Sequence, residues 1–145
     1  MVAAAAAIIA LSLSLTGANS HVSNLQHALK LANRSVVLSA LATPGHKVVE
    51  LSNEAQQPIA KFVMLPDGTG YLVKSHMPVL ESDQTYQLWG IVNGKPVSIG
   101  VMGNSPGSVT FTMASSPAPT ELAVTVQQSG GSLKPSKNFV ASGLV

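Results

Sequence analysis

The sequence predicts an all-β fold: an antiparallel β-sandwich of about seven to nine short strands, preceded by two helical segments. Three observations predict it. Short apolar or alternating runs recur through residues 35–145, and turn residues separate them. No stretch between these runs is long and helical enough for a parallel crossover connection. One hairpin, which contains the single tryptophan, has a particularly clear strand pattern.

The N-terminal segment, residues 1–19, is predicted to be a transmembrane or signal segment. Residues 2–15 are alanine-rich and carry no charge. A membrane span needs about 20 apolar residues, and a secretory signal needs a basic start before an apolar run of roughly 7–15 residues. A buried soluble helix is the third possibility. In the first two cases everything after Asn19 lies outside the cytoplasm, either anchored to the cell membrane by a single pass or secreted.

Residues 20–34 are predicted to form a short juxtamembrane helix or stalk. Ser20 is a suitable N-cap, and one apolar stripe follows it at helical spacing, formed by Val22, Leu25, Leu29 and Ala32. We expect this helix to end at Asn33-Arg34. It would pack on the domain or stand in solvent, since a dimerising coiled coil requires a longer heptad repeat than this one stretch provides.

The β domain is predicted to begin at Ser35 and to reach the C-terminus. Turn signals rich in glycine, proline, serine and asparagine separate its strands. The predicted strands are residues 35–40, 47–51, 58–65, 71–76, 86–92, 95–102, 108–113, 121–128 and 139–141.

The tryptophan hairpin is the most informative of these elements. Tyr86 and Leu88 alternate with Gln87 and Trp89, so both faces carry bulky side chains, as in a strand buried on both sides. Asn93-Gly94 supplies the two residues with positive φ that a type I′ turn needs. We therefore expect Trp89 to be an interior residue rather than a ligand-stacking one.

Composition excludes several classes of function. The charged fraction is 10%, well below the roughly 25% of average chains. Eight basic and six acidic residues give a net charge of +2, and the basic residues are scattered, so no nucleic-acid interface is expected. The absence of cysteine excludes disulfides and cysteine zinc sites, but it does not assign a compartment.

No catalytic, cofactor-binding or metal-binding residues are predicted, and we expect no cofactor and no enzymatic activity. The sequence lacks the nucleophile-elbow, phosphate-loop and zinc-protease motifs. Asp67 and Asp83 lie in predicted turns, where carboxylates accept backbone hydrogen bonds. The histidines have no metal-ligand spacing, although two of them could meet across a sheet; they are His21, His27, His46 and His76.

Three pieces of the sequence together resemble the C-terminal domain of the anti-sigma-K factor family, the RskA type. They are a Y-x-L-W strand, a G-x-P-V-x-x-G hairpin and an A-V-T-V-x-x-x-G-G-S-x-x-P segment. Gln127 stands where the family usually has glutamate, and Gly90 after the tryptophan is a second departure. The resemblance spans residues 36–145 and implies a structural core signature of Tyr86, Leu88, Trp89, Gly94, Pro96, Val97, Gly100, Val124, Val126, Gly130 and Gly131.

The resemblance implies the extracytoplasmic sensor domain of a bacterial, membrane-bound anti-sigma factor, which regulates transcription. Such a protein holds an extracytoplasmic-function sigma factor through a cytoplasmic part, expected here to be missing from this chain. Envelope proteases release the sigma factor by cutting outside and then within the membrane, and we expect the first cut in residues 17–34. The alternative is a secreted or membrane-anchored β-sandwich that binds a small ligand, glycan or partner protein, which an exposed Trp89 would favour.

Overall fold

The computed structural model describes residues 3–107, 109–113, 117–137 and 139–145, with the backbone alone for residues 3–21, 33 and 74. The chain divides into two compact units, residues 1–36 and 37–145. The elements are α1 (Ala3–Ala42), β1 (Lys47–Ser52), β2 (Pro58–Met64), β3 (Thr69–Ser75), β4 (Gln84–Val92), β5 (Lys95–Gly103), β6 (Thr110–Thr112), β7 (Glu121–Gln128) and β8 (Phe139–Leu144).

The end of α1 corrects one prediction. Residues 35–40, predicted as the first strand, continue the helix, which ends at Ala42 rather than at Arg34. The half-buried Val37 and the buried Ala40 are three residues apart, which is a helical period and not the two-residue period of a strand. The hydroxyl of Thr43 donates to the carbonyl of Ser39 at 2.9 Å, and Pro44 follows, where the ring opposes further helix.

The predicted all-β antiparallel domain is confirmed. Its eight strands form one sheet in the order β5-β4-β7-β8-β1-β2-β3-β6, and every neighbouring pair is antiparallel. The two layers of the predicted sandwich are thus two halves of a single curled sheet. Its end strands approach each other at Gly100 of β5, where a Cβ atom would lie 3.3 Å from the ring of Phe111 on β6. The sheet is therefore nearly a barrel.

The core lies on the concave side of this sheet, and all eight strands contribute to it. The rings of Phe62 and Phe111 pack with their centroids 5.9 Å apart. Burial of such apolar side chains is the main favourable term for folding. The core cluster consists of Val49, Leu51, Ala60, Phe62, Met64, Leu72, Met77, Tyr86, Leu88, Met102, Phe111, Met113, Leu122, Val124 and Ala141.

The β4–β5 hairpin has the predicted turn but an irregular second strand. Asn93 and Gly94 both have positive φ, 51° and 74°, which confirms the predicted turn geometry. Two register shifts interrupt the β4–β5 pairing and turn Met102 into the core. Pro96 and Val97, which the resemblance placed in the core signature, have exposed side chains on β5 and do not contribute to the buried core.

Candidate functional site

One face of β4 is part of the apolar core. Leu88 is fully buried there, and Tyr86 is 1% exposed. The Tyr86 hydroxyl donates a hydrogen bond of 2.9 Å to the carbonyl of Pro78, and burial raises the pKa of this phenol. This face holds the strand in the sheet, and its buried tyrosine hydroxyl is bonded to the backbone.

The opposite face of β4 carries Trp89, which is fully buried but lies outside the core cluster. Its indole N–H donates to the hydroxyl oxygen of Thr125 at 2.9 Å, and the side-chain amide of Gln127 donates to the same oxygen at 2.9 Å. A buried ring with its N–H already bonded has no free surface on which a ligand could stack. The exposed Trp89 that would favour the binding-module alternative is therefore not present.

Gln87 lies beside Trp89 on this face and is 2% exposed. Its side-chain N–H groups donate to the hydroxyl of Ser98 at 2.7 Å and to the carbonyl of Ser132 at 2.9 Å. Its side-chain oxygen accepts from the backbone N–H of Ser132 at 2.8 Å. One buried amide thus joins the strand that contains the tryptophan to the Gly-Gly-Ser segment, two motifs that are distant in the sequence.

Residues 129–137, here called the strap, connect β7 to β8 across this face. Gly130 and Gly131 have φ of +94° and +83°, and a Cβ atom on Gly131 would lie 2.9 Å from the Gln87 side-chain oxygen. Further along, the carbonyl of Lys134 accepts from Gln127 at 3.4 Å. The strap is therefore attached to the sheet on both sides of Leu133, which is 98% exposed.

The structure gathers most signature residues around β4 and β7. Val124 is fully buried in the core, and Val126 packs against it half-buried. The core signature did not include Gln87 and Thr125, although both are buried polar residues at the centre of this arrangement. The sequence did contain one signal for this site, Gln87 itself. A polar side chain inside a strand that is buried on both sides requires a hydrogen-bond partner.

The comparison with protein families agrees with this arrangement. The model described as "Anti-sigma-K factor rskA, C-terminal" matches residues 1–143. The chain belongs to this family. The match extends beyond the resemblance seen in residues 36–145, because it also includes α1 up to Val36. The comparison with curated proteins and the comparison with solved structures give no significant match.

Membership of the anti-sigma-K factor family makes the domain part of a regulatory protein whose family partner is a sigma factor. Within the residues that the structure describes, no helix combines the length and the apolar composition of a membrane span. Residues 1–19, predicted as the transmembrane or signal segment, have no described side chains.

The histidines of this anti-sigma-K factor domain are dispersed. His46 precedes β1 next to the pairing of Lys47 with Met64, whereas the backbone N–H of His76 donates to the carbonyl of Ile59. These two histidines therefore lie at opposite ends of β2. His27 is exposed, and the His21 side chain is outside the described part. Among the described residues, no three histidine or carboxylate side chains could hold a metal ion together.

Asp67 and Asp83 lie in turns, and the Asp67 carboxylate bonds the backbone as predicted. Asp67 accepts the backbone N–H of Thr69 at 2.8 Å in the β2–β3 turn, and this hydrogen bond lowers the pKa of Asp67. Asp83 precedes β4, and its carbonyl accepts the backbone N–H of Ser129 at 2.7 Å. Both residues shape turns that set the ends of strands and of the strap.

A polar groove of about 410 Å³ lies where β1 meets β8. These two strands pair at one position only, Ser52 with Ser142. Glu50 lines the groove and is half exposed, and its carboxylate lies 3.1 Å from the ammonium of Lys61. The carboxylates here are solvated surface groups, unlike the desolvated pairs that perform acid–base chemistry. The groove gives this anti-sigma-K factor domain no recognisable catalytic arrangement.

Proposed function

We propose that this chain is the extracytoplasmic sensor domain of a membrane-bound anti-sigma factor, and that it controls release of an extracytoplasmic-function sigma factor through regulated proteolysis. The family match over residues 1–143 carries this proposal. In our proposal the β domain restrains release, and the contact with the sigma factor belongs to a cytoplasmic part of the protein.

The N-terminal segment supports the membrane part of the proposal. Residues 2–15 carry no charge, and polar residues become frequent from Thr16 onward, as expected where a chain leaves the bilayer. We propose that residues 1–19 anchor the chain and that the β domain lies outside the cytoplasm. Release into the medium after signal cleavage is the alternative outcome.

The exposed part of α1 supports the position of the first cut. Val22, Leu25 and Leu29 are 53%, 64% and 62% exposed, so these apolar side chains contribute little buried area to hold the segment helical. Isolated helical segments open locally at low cost, and an opened backbone is what a protease can bind. The buried strands β4 and β7 are paired on both sides. We therefore propose cleavage within residues 17–34.

A reporter fusion tests the location. Alkaline phosphatase, which is active only after export, is attached after Val145 of the full chain, and the matched control is the same fusion without residues 1–19. We expect activity in the membrane fraction for the full chain and none for the control. Equal activity in both, or activity released into the medium, would overturn the membrane anchor.

Mass spectrometry of the processed protein tests the cleavage. The expected new termini lie within residues 17–34, with residues 47–145 recovered intact. Termini confined to the β domain, with residues 17–34 resistant, would contradict regulated cleavage at the helix.

A further inference from the structure

One end of the curled sheet is covered by apolar side chains of the chain itself. The segment between β3 and β4 lies at this end, where Met77 belongs to the core cluster and Leu80 packs against it. The Tyr86 hydroxyl holds the same segment through its hydrogen bond to the carbonyl of Pro78. The core is therefore closed off from solvent on this side by its own connection.

The opposite end of the sheet contains a pocket of about 170 Å³, here called the end pocket. Because neighbouring strands are antiparallel, β1 and β7 begin at this end, and β2, β6 and β8 finish there. Residues next to all five of these strand ends line the pocket. The mouth of a β-barrel is one of the places where small-molecule sites preferentially occur.

The lining of the end pocket is mainly apolar and adjoins the core. Met64 and Met113 line it, and both belong to the core cluster with 8% of their surface exposed. Leu65, Pro66 and Pro119 add further apolar surface. Methionine side chains adapt to irregular shapes, and an apolar cavity of about 150 Å³ can hold benzene. The end pocket therefore has room for an apolar group of about six to eight carbon atoms.

One cationic side chain lies at the end pocket. Among the described residues that line it, Lys47 is the one with an ionisable side chain, and it is exposed. No carboxylate of a described residue lies within 4 Å of its ammonium. Asp67 is next to the lining residue Pro66, but its carboxylate accepts the backbone N–H of Thr69. An apolar pocket with one cation at its solvent side complements an anion that carries an apolar tail.

We propose that the end pocket binds a small carboxylate with an aliphatic tail of about six to eight carbon atoms. The tail packs against Met64 and Met113, and the carboxylate lies at the Lys47 ammonium. Binding depends on the pocket alone, whereas its use as the stimulus of a sensor rests on the proposed function. Gly45, in the connection between α1 and β1, also lines the pocket, so an occupant contacts the connection that joins the helix to the sheet.

Methionine methyl NMR tests the position of the site. The full chain, labelled with carbon-13 at its methionine methyl groups and held in lipid nanodiscs, is titrated with sodium octanoate. We expect saturable shifts of Met64 and Met113, with a dissociation constant of about 1 mM or below for a ligand of about ten non-hydrogen atoms. Met77 and Met102 belong to the same core cluster but do not line the pocket, so their signals should stay in place. Equal shifts of all four methionines, or none at Met64 and Met113, would overturn the site.

A lysine substitution tests the charge of the ligand. Lys47→Met should weaken octanoate binding about two- to fivefold, the range for one exposed ion pair, and should leave the binding of neutral 1-octanol unchanged. Lys95→Met is the matched control, because Lys95 is exposed on β5 and does not line the pocket. Equal octanoate affinities of the two variants, or tighter binding of octanol than of octanoate by the unsubstituted chain, would contradict the proposed ligand class.

The length of the aliphatic tail tests the apolar part of the end pocket. From butyrate to octanoate the affinity should rise by up to about fourfold for each methylene group, the value for a buried CH₂, and should level off once the pocket is full. An affinity that does not depend on tail length would reduce the site to an ion pair at Lys47 and would overturn the proposal. These titrations report binding wherever the chain resides and wherever it is cut, so their failure and failure of the proposed function are separate results.

Discussion

The two faces of β4 are both buried, but they are buried by different kinds of interaction. Tyr86 and Leu88 face an apolar cluster to which all eight strands contribute. Gln87 and Trp89 face the strap side, where hydrogen bonds to Ser132 and Thr125 fix their positions. The first face depends on buried area, which many side chains share. The second depends on a few specific bonds between distant parts of the chain.

This difference implies different responses to substitution. An apolar side chain removed from the core leaves a cavity and loses its transfer free energy, in proportion to its volume. A side chain removed from the strap face breaks hydrogen bonds that join the strap to the sheet. The core face should therefore control global stability, whereas the strap face should control whether residues 129–137 stay closed over the sheet.

The largest expected effect is on the core face. Leu88→Ala should lower the free energy of unfolding by about 2–5 kcal/mol, because it creates a cavity in a fully buried site. Urea denaturation followed by Trp89 fluorescence measures this change. Leu144→Ala is the matched control, since Leu144 is 80% exposed, and it should change stability by less than about 0.5 kcal/mol. Similar values for the two variants would contradict the assigned core.

The next effect is on the strap face. Gln87→Met keeps the shape of the side chain but removes its hydrogen bonds to the N–H and carbonyl of Ser132, at a net cost of about 0.5–1.5 kcal/mol for each bond. Loosening of the strap should also make Trp89 more accessible to acrylamide quenching under native conditions. Gln128→Met, at an exposed position of β7, should change neither quantity. Unchanged quenching in Gln87→Met would show that the strap does not depend on this amide.

The sequence predicted the core face well because its signals are local. Alternation of apolar residues gave the strands, and Asn93-Gly94 gave the hairpin turn, since both depend on neighbouring residues only. The end of α1 was wrong for a related reason. Residues 36–38 form a short apolar run that begins with two β-branched valines, as in a strand. Only the tertiary burial of Ala40, with the helical spacing of Val37, distinguishes the two structures.

The strap face could not be predicted in the same way. Gln87 signals a need for a partner, but the partner is the backbone of Ser132, 45 residues away, and no local pattern encodes that contact. The exposure of Pro96 and Val97 likewise follows from the place of β5 at the end of the sheet, which their own sequence does not encode. The family resemblance identified the right motifs without showing that one side-chain amide links two of them.

The smallest effect concerns the polar atom on the core face. Because burial raises the pKa of Tyr86, the folded state favours the neutral phenol. The stabilisation is complete below about pH 10, the pKa in the unfolded chain, and is lost as the pH rises through the folded pKa. Tyr86→Phe should lower the free energy of unfolding by about 0.5–1.5 kcal/mol at neutral pH, because the hydrogen bond to Pro78 is lost. It should also reduce the loss of stability at alkaline pH. Urea denaturation at several pH values measures both changes. Tyr71→Phe, which leaves the bond between Tyr86 and Pro78 intact, is the matched control. A loss of stability at alkaline pH that persists in Tyr86→Phe would assign this pH dependence to another group.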